Sequence, residues 1–153
     1  MTVPPTEAVP PTAAALRLER HPEGGWFRRT YTSDRPVATD GGERPAATLI
    51  HYLLTPGESS AWHVVTSDEI WLWHGPGRLE LSLGGRGDSP DDAPARVVLG
   101  AHPGGPDGQA AQGIVPAGTW QSARLLDDAE CLVSCMVSPG FSFADWRLAA
   151  PVE

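Results

Sequence analysis

Glycine and proline set the tightest limit on what this chain can become. Its 17 glycines and 16 prolines make up more than a fifth of 153 residues, against about 12% in an average protein. Both residues break helix interiors. A helix bundle is therefore excluded, and short strands joined by turns are predicted instead. The length suits one domain.

Residues 1–12 hold four prolines and little that could pack; they read as a flexible tail ahead of a single domain over 13–150. Residues 13–20 predict a short N-terminal helix, with Thr12 as its N-cap and Pro22 beyond its end. Strands are predicted over 25–32, 47–54, 60–65, 69–74, 78–83, 97–99, 112–115, 120–125 and 130–137, with a last segment over 141–148. Leu79, Leu81 and Leu83 alternate strictly with polar residues, the pattern of a half-buried strand. Residues 33–46 read as a polar loop with a turn at Gly41-Gly42, and 84–95 and 100–108 as Gly/Pro loops. Many short strands and almost no helix make an antiparallel all-β jelly roll or barrel the natural architecture.

The composition removes several chemistries. The chain has no lysine and no asparagine, so Schiff-base, P-loop and lysine-base mechanisms are excluded. The net charge is −8, and no stretch interleaves arginine with aromatics, which argues against nucleic acid as a partner. No apolar run could span a membrane. The N-terminus has no basic region ahead of an apolar one, so a cytoplasmic location is the default expectation. Cys131 and Cys135 lie about 13 Å apart along one strand, too far for a disulfide. They read as buried structural thiols.

Chemistry is expected around His63 and Glu69. His63 ends one predicted strand and Glu69 begins the next, so an antiparallel pairing brings them together. An imidazole and a carboxylate facing into a barrel mouth suit an acid/base pair or a metal site. Glu69, Trp71 and Trp73 share a strand face, so an inward Glu69 brings both tryptophans inward, as pocket walls or as core filling. His74 then points outward. Arg28 and Arg29 lie on opposite faces; whichever is inward needs an anionic partner, which Glu23, Asp145 or a substrate carboxylate or phosphate could supply. His51 and Tyr52 also oppose each other. His21 and Glu23 flank the start of a glycine turn and read as turn-forming.

The same segments resemble a known family. Gly57, His63 and Glu69 match the spacing of the first cupin motif, G-x5-H-x-H-x3,4-E. Pro116-Ala117-Gly118 matches the second, with Gln121 in its histidine position. The resemblance extends to a cupin branch of unknown function, the fifth cupin family. It rests on His21 to Arg28 (HPEGGWFR), Leu53 to Glu58 (LLTPGE), Trp62 to Trp71 (WHVVTSDEIW), Val115 to Trp120 (VPAGTW) and Pro139 to Trp146 (PGFSFADW). Two departures stand out: Val65 replaces the second histidine of the first motif, and Leu125 the asparagine of the second.

The resemblance implies a double-stranded β-helix, the cupin jelly roll, in a homodimer. It implies a small-molecule enzyme of the isomerase, epimerase, dehydratase or cyclase kind. His63 would be its base and Glu69 its acid. Trp71, Trp73, Trp120, Gln121, Tyr52 and an inward Arg28 or Arg29 would contact the ligand. No cofactor is implied as obligatory; a divalent transition metal is the candidate, with His63, Glu69 and Gln121 as ligands. Without a metal, the pair would act as in the sugar-nucleotide epimerases that the fold resembles. Two alternatives stand beside it: a non-catalytic protein binding an anionic or flat metabolite, and a metal-dependent oxygenase.

Overall fold

A computed structural model describes residues 8–150. Its elements in chain order are helix α1 (Pro11–Leu16), β1 (Glu19–Arg20), β2 (Trp26–Thr32), β3 (Pro36–Thr39), β4 (Gly42–Pro45), β5 (Thr48–Leu54) and β6 (Ser59–Val65). Then follow β7 (Asp68–Pro76), β8 (Leu79–Leu83), β9 (Ala95–Leu99), β10 (Gln112–Val115), β11 (Gln121–Leu125), β12 (Cys131–Ser138), a 3-10 turn (Phe143–Asp145) and β13 (Trp146–Leu148). Two antiparallel sheets face each other. One has the order β1-β2-β5-β12-β7-β10 and the other β13-β6-β11-β8-β9. This is the expected all-β jelly roll.

Strict alternation decides which side chains meet between the sheets. Tyr52, Leu54, Trp71, Leu79, Leu81, Leu99, Val115, Cys131, Val133 and Cys135 form one buried cluster. Cys131 and Cys135 are both free, as their spacing requires. A second, smaller cluster lies on the outer face of the larger sheet, where Ala13 and Leu18 cover Trp26 and Leu53.

Two local expectations are corrected. The helix stops at Leu16 rather than running to Arg20. Arg17 turns left-handed (φ 58°) and caps Ala13 and Ala14 with its own N–H, which lets Leu18 drop into the outer cluster. Burial of one leucine outweighs another helical turn here. Pro10, not Thr12, is the N-cap residue, and Thr12 instead donates to Glu130 (2.6 Å). Of the expected tail, residues 1–7 lie outside the described residues, and Pro11 and Thr12 are helical. The polar loop 33–46 is also more ordered than expected: it contains the hairpin β3–β4.

Candidate functional site

One end of the jelly roll is filled and the other is open. At the filled end Trp73 packs against the core and donates to the Gly77 carbonyl (2.9 Å). At the open end the inward residues of five strands surround a cavity. They are Phe27 and Arg29 of β2, Thr48, Ile50 and Tyr52 of β5, His63 and Val65 of β6, Glu69 of β7, and Cys135 and Val137 of β12. His21 and Glu23 enter from the turn before β2, and Phe141, Phe143 and Trp146 close the rim. The enclosed space is about 50 Å3, room for roughly three to five waters at 10–15 Å3 each.

The floor is built by a relay of backbone contacts. Ala61 N–H donates to the Glu23 carbonyl (2.8 Å), tying the glycine turn to β6. The Ala61 carbonyl lies 2.7 Å from His63 Nδ1. A carbonyl only accepts, so Nδ1 carries the proton and Nε2 keeps a free lone pair. Nε2 lies 3.2 Å from Glu23 Oε2, and Trp146 Nε1–H donates to that same oxygen (3.2 Å). The His21 ring accepts from Glu23 N–H through Nδ1 (3.1 Å). Ser60 is buried beside the Glu23 carboxyl and the Tyr52 hydroxyl, and its side chain favours the ionised form of both.

Burial dominates the electrostatics. Desolvation pushes the Glu23 carboxyl up to about 8, against the Trp146 hydrogen bond. It pushes Glu69 up to about 7, against the attraction of His63 and with the repulsion of Glu23. It pulls His21 down to about 4, with repulsion from His63 adding to the effect. His63 is also lowered by burial, partly restored by Glu69. The Tyr52 hydroxyl is raised well above its usual range by burial.

These shifts have a consequence for stability. Folding holds extra protons on Glu23 and Glu69 above pH 4.5 and fewer on His21 and His63 below 6.5. Extra protons in the folded state make stability fall with rising pH, and missing ones make it rise. The two effects oppose each other from pH 4.5 to 6.5. Above 6.5 only the carboxyls act, so stability is expected to drop between pH 6.5 and 8 by on the order of 2 kcal/mol. Urea unfolding at the two pH values checks this. Equal midpoints would refute it, and Glu23→Gln should remove most of the slope.

The sequence-derived candidates separate. His63, Glu69, Tyr52 and Arg29 line the cavity. Arg29 also donates to the Phe141 carbonyl (2.9 Å) at the rim. Arg28 is on the outer sheet face and does not reach the cavity. Trp71 lies one layer below the floor, against Tyr52 (ring centroids 5.8 Å apart). Trp73 shares the face of Glu69, as alternation requires, but lies too far along the strand to line the cavity. Trp120 is buried beneath Arg147 and donates to the Gly87 carbonyl (2.8 Å). No residue of the 84–112 stretch lines the cavity.

Gln121 departs from its expected role. Trp71 Nε1–H donates to Gln121 Oε1 (2.8 Å), and Gln121 Nε2 donates to Glu69 Oε1 (2.7 Å). Indole nitrogen is donor-only, so the amide oxygen must face Trp71 and its NH2 must face Glu69. The oxygen that a metal would need is already engaged. Among the described residues no group of three or more His, Cys, Asp or Glu is placed to hold an ion. The residues present therefore do not fit the expected His63–Glu69–Gln121 metal triad.

Sequence reasoning passed over Glu23 and His21. The available signal was a carboxylate beside two glycines, Gly24 and Gly25, that both adopt positive φ (106° and 77°). A turn forced that tightly aims its side chain at a fixed target.

The chain matches the family described as Cupin superfamily (DUF985) over residues 11–149. Among solved structures it is similar to a hypothetical protein from Leishmania major: 31% identity, TM-score 0.78, covering 88% of this chain and 83% of that one. It is also similar to a protein from Shewanella oneidensis: 33% identity, TM-score 0.79, covering 91% and 82%. The capsular polysaccharide assembling protein CapF from Staphylococcus aureus shares the fold: 14% identity, TM-score 0.61, covering 88% of this chain and 31% of that one. No curated protein sequence matches. Among the described residues no helix is long and apolar enough to cross a membrane.

Proposed function

Because the chain belongs to the cupin superfamily, in the family described as DUF985, we propose that it is a small-molecule enzyme of the isomerase or epimerase kind. One observation carries the reading: a buried imidazole, His63, contacts one raised carboxyl, Glu23, and is attracted by a second, Glu69, at the floor of an aromatic-rimmed cavity.

Isomerisation by proton transfer needs a group that takes a proton from the substrate and a group that returns one. Near neutral pH the Glu23–His63 pair holds one proton between Oε2 and Nε2. The base is the pair with that proton lost: beside an ionised Glu23, His63 Nε2 accepts a substrate proton, and Glu69, poised near 7, is the acid that gives one back. A turnover leaves the added proton on His63 and Glu69 without one; exchange with solvent water removes the first and replaces the second, so atoms and charge balance. Phe27, Phe141, Phe143 and Trp146 exclude water and suit a flat or apolar part of the substrate. Arg29 at the rim offers guanidinium donors to an anionic part. A small hydroxy-, oxo- or sugar-type acid satisfies all three demands.

The test is deuterium uptake. Wild-type protein is incubated in D2O with a panel of such acids, and NMR follows loss of the C–H signal beside the carbonyl or hydroxyl carbon. Catalysed uptake in any member supports the reading. Ligand binding without uptake in any member selects the alternative, a binding protein, which the aromatic rim would also serve.

Association with a second copy belongs to the same proposal. Tyr31, Leu49, Met136, Ile70 and Ile114 are successive register partners across β2, β5, β12, β7 and β10. They lie on the outer face of the larger sheet, where Tyr31 is 54% and Ile114 61% exposed. The row runs across five neighbouring strands, roughly 20 Å. Met136→Glu is expected to convert a dimer to a monomer in sedimentation at micromolar concentration. A wild-type monomer would sink this part.

A further inference from the structure

A second concave site lies outside the cavity, on the outer face of the larger sheet. It is a groove of about 360 Å3 lined by Ala15, Leu16, Arg17, Arg28, Arg29, Thr30 and His51. Three arginines and a histidine line it, the Arg29 guanidinium being turned to the Phe141 carbonyl, and no lining residue is acidic. The chain as a whole carries net charge −8, so this face is positive against the trend.

Two independent observations set the groove apart. The first is pairing. Arg20, Arg44, Arg78, Arg96 and Arg124 each meet an acid: Glu58, Asp145, Asp127 and, for the last two, Glu80. Arg17 and Arg28 have no acidic partner among the described residues; neither do Arg35, Arg86 and Arg147, but the depressions these line contain Asp34 and Glu43 or Asp88 and Asp145, whereas the groove of Arg17 and Arg28 contains no acid. Arg28 instead sits directly opposite His51, its register partner on β5. An anion between them can accept from the guanidinium and from an imidazole N–H.

The second observation is backbone strain. Arg17 is the only non-glycine among the described residues with positive φ (58°). Glycine adopts this left-handed helix-ending position at less cost than any L side chain. A residue kept in strain points to a use for its side chain. The position carries the Arg17 guanidinium to the groove that Arg28 borders.

We propose that this groove binds a phosphate-class oxyanion, gripped by Arg17 and Arg28 with His51 beside them. Guanidinium forks match phosphate oxygens in pairs, and Thr30 adds a hydroxyl. The residues that grip the anion, Arg17, Arg28 and His51, do not line the acid–base cavity; only Arg29 borders both.

The test titrates the 15N-labelled full chain with inorganic phosphate and, separately, with glycerol 3-phosphate. Chloride keeps the ionic strength constant. Saturable shifts are expected at the amides of 15–17, 28–30 and 51. The Arg17→Gln/Arg28→Gln protein should bind at least about tenfold more weakly with the rest of its spectrum unchanged. Tighter binding of the ester identifies a phosphorylated metabolite as the natural source, and tighter binding of phosphate identifies the free ion; either supports the site. Shifts that never saturate, that centre elsewhere, or that persist at full affinity in the double variant would overturn it.

Discussion

His63→Ala is expected to lower deuterium uptake by two to four orders of magnitude, the usual weight of one positioned proton-transfer group. The histidine is hard to replace from within the cavity. His21, the other imidazole there, is held down to about 4 by burial and has its Nδ1 engaged by Glu23 N–H. Glu23→Gln sharpens the test because it keeps the shape. One amide atom replaces Oε2, which meets both Trp146 Nε1–H and His63 Nε2: as oxygen it keeps the Trp146 bond and as NH2 it donates to His63, but in neither orientation can a proton leave. Uptake should fall to the His63→Ala level while the melting temperature holds or rises, since a costly buried carboxyl has gone. Wild-type rates in Glu23→Gln would remove Glu23 from the mechanism and leave His63 with Glu69.

Gly24→Ala is expected to cost at least about 3 kcal/mol, more than most single substitutions. A Cβ added there would stand 2.1 Å from the Ser59 carbonyl oxygen, and the backbone sits at φ +106°. Neither the contact nor the angle can relax without pulling the turn off β6. That movement would also withdraw Glu23 from His63, because the turn carries Glu23 and β6 carries His63. Gly57→Ala serves as the control. Its φ is +88°, yet an added Cβ meets nothing within 4 Å, so only backbone strain of about 1 kcal/mol applies. The contrast is read from urea midpoints of the two variants. Equal losses would mean that the close approach at Gly24 is easily accommodated.

Much of the architecture was legible because burial on one face writes itself into alternation. Leu79, Leu81 and Leu83 show it, as do Glu69, Trp71 and Trp73. Alternation names a face but not a depth, which is why Trp73 reached the inside and still missed the cavity. The hairpin β3–β4 left no such mark: its strands are half-buried to exposed and carry no apolar stripe. Its role appears only in contacts. Arg44 grips Asp145 (2.7 Å), and Gly140 N–H donates to the Pro45 carbonyl (2.7 Å). It thereby anchors the segment that bears Phe141, Phe143 and Trp146. Glu23 escaped for a related reason, since its meaning depends on a turn lying against β6. The Gln121 amide could not be oriented from sequence, because its direction follows from a tryptophan fifty positions away.

That amide dictates an address for a proton. The chain from Trp71 through Gln121 to Glu69 runs one way only, since its first donor cannot accept. Glu69 Oε1 is therefore permanently a receiver, charged or neutral. When Glu69 takes up a proton, the hydrogen must sit on Oε2. Two uncharged side chains thus settle which of two chemically identical oxygens can deliver it, and they do so at any pH.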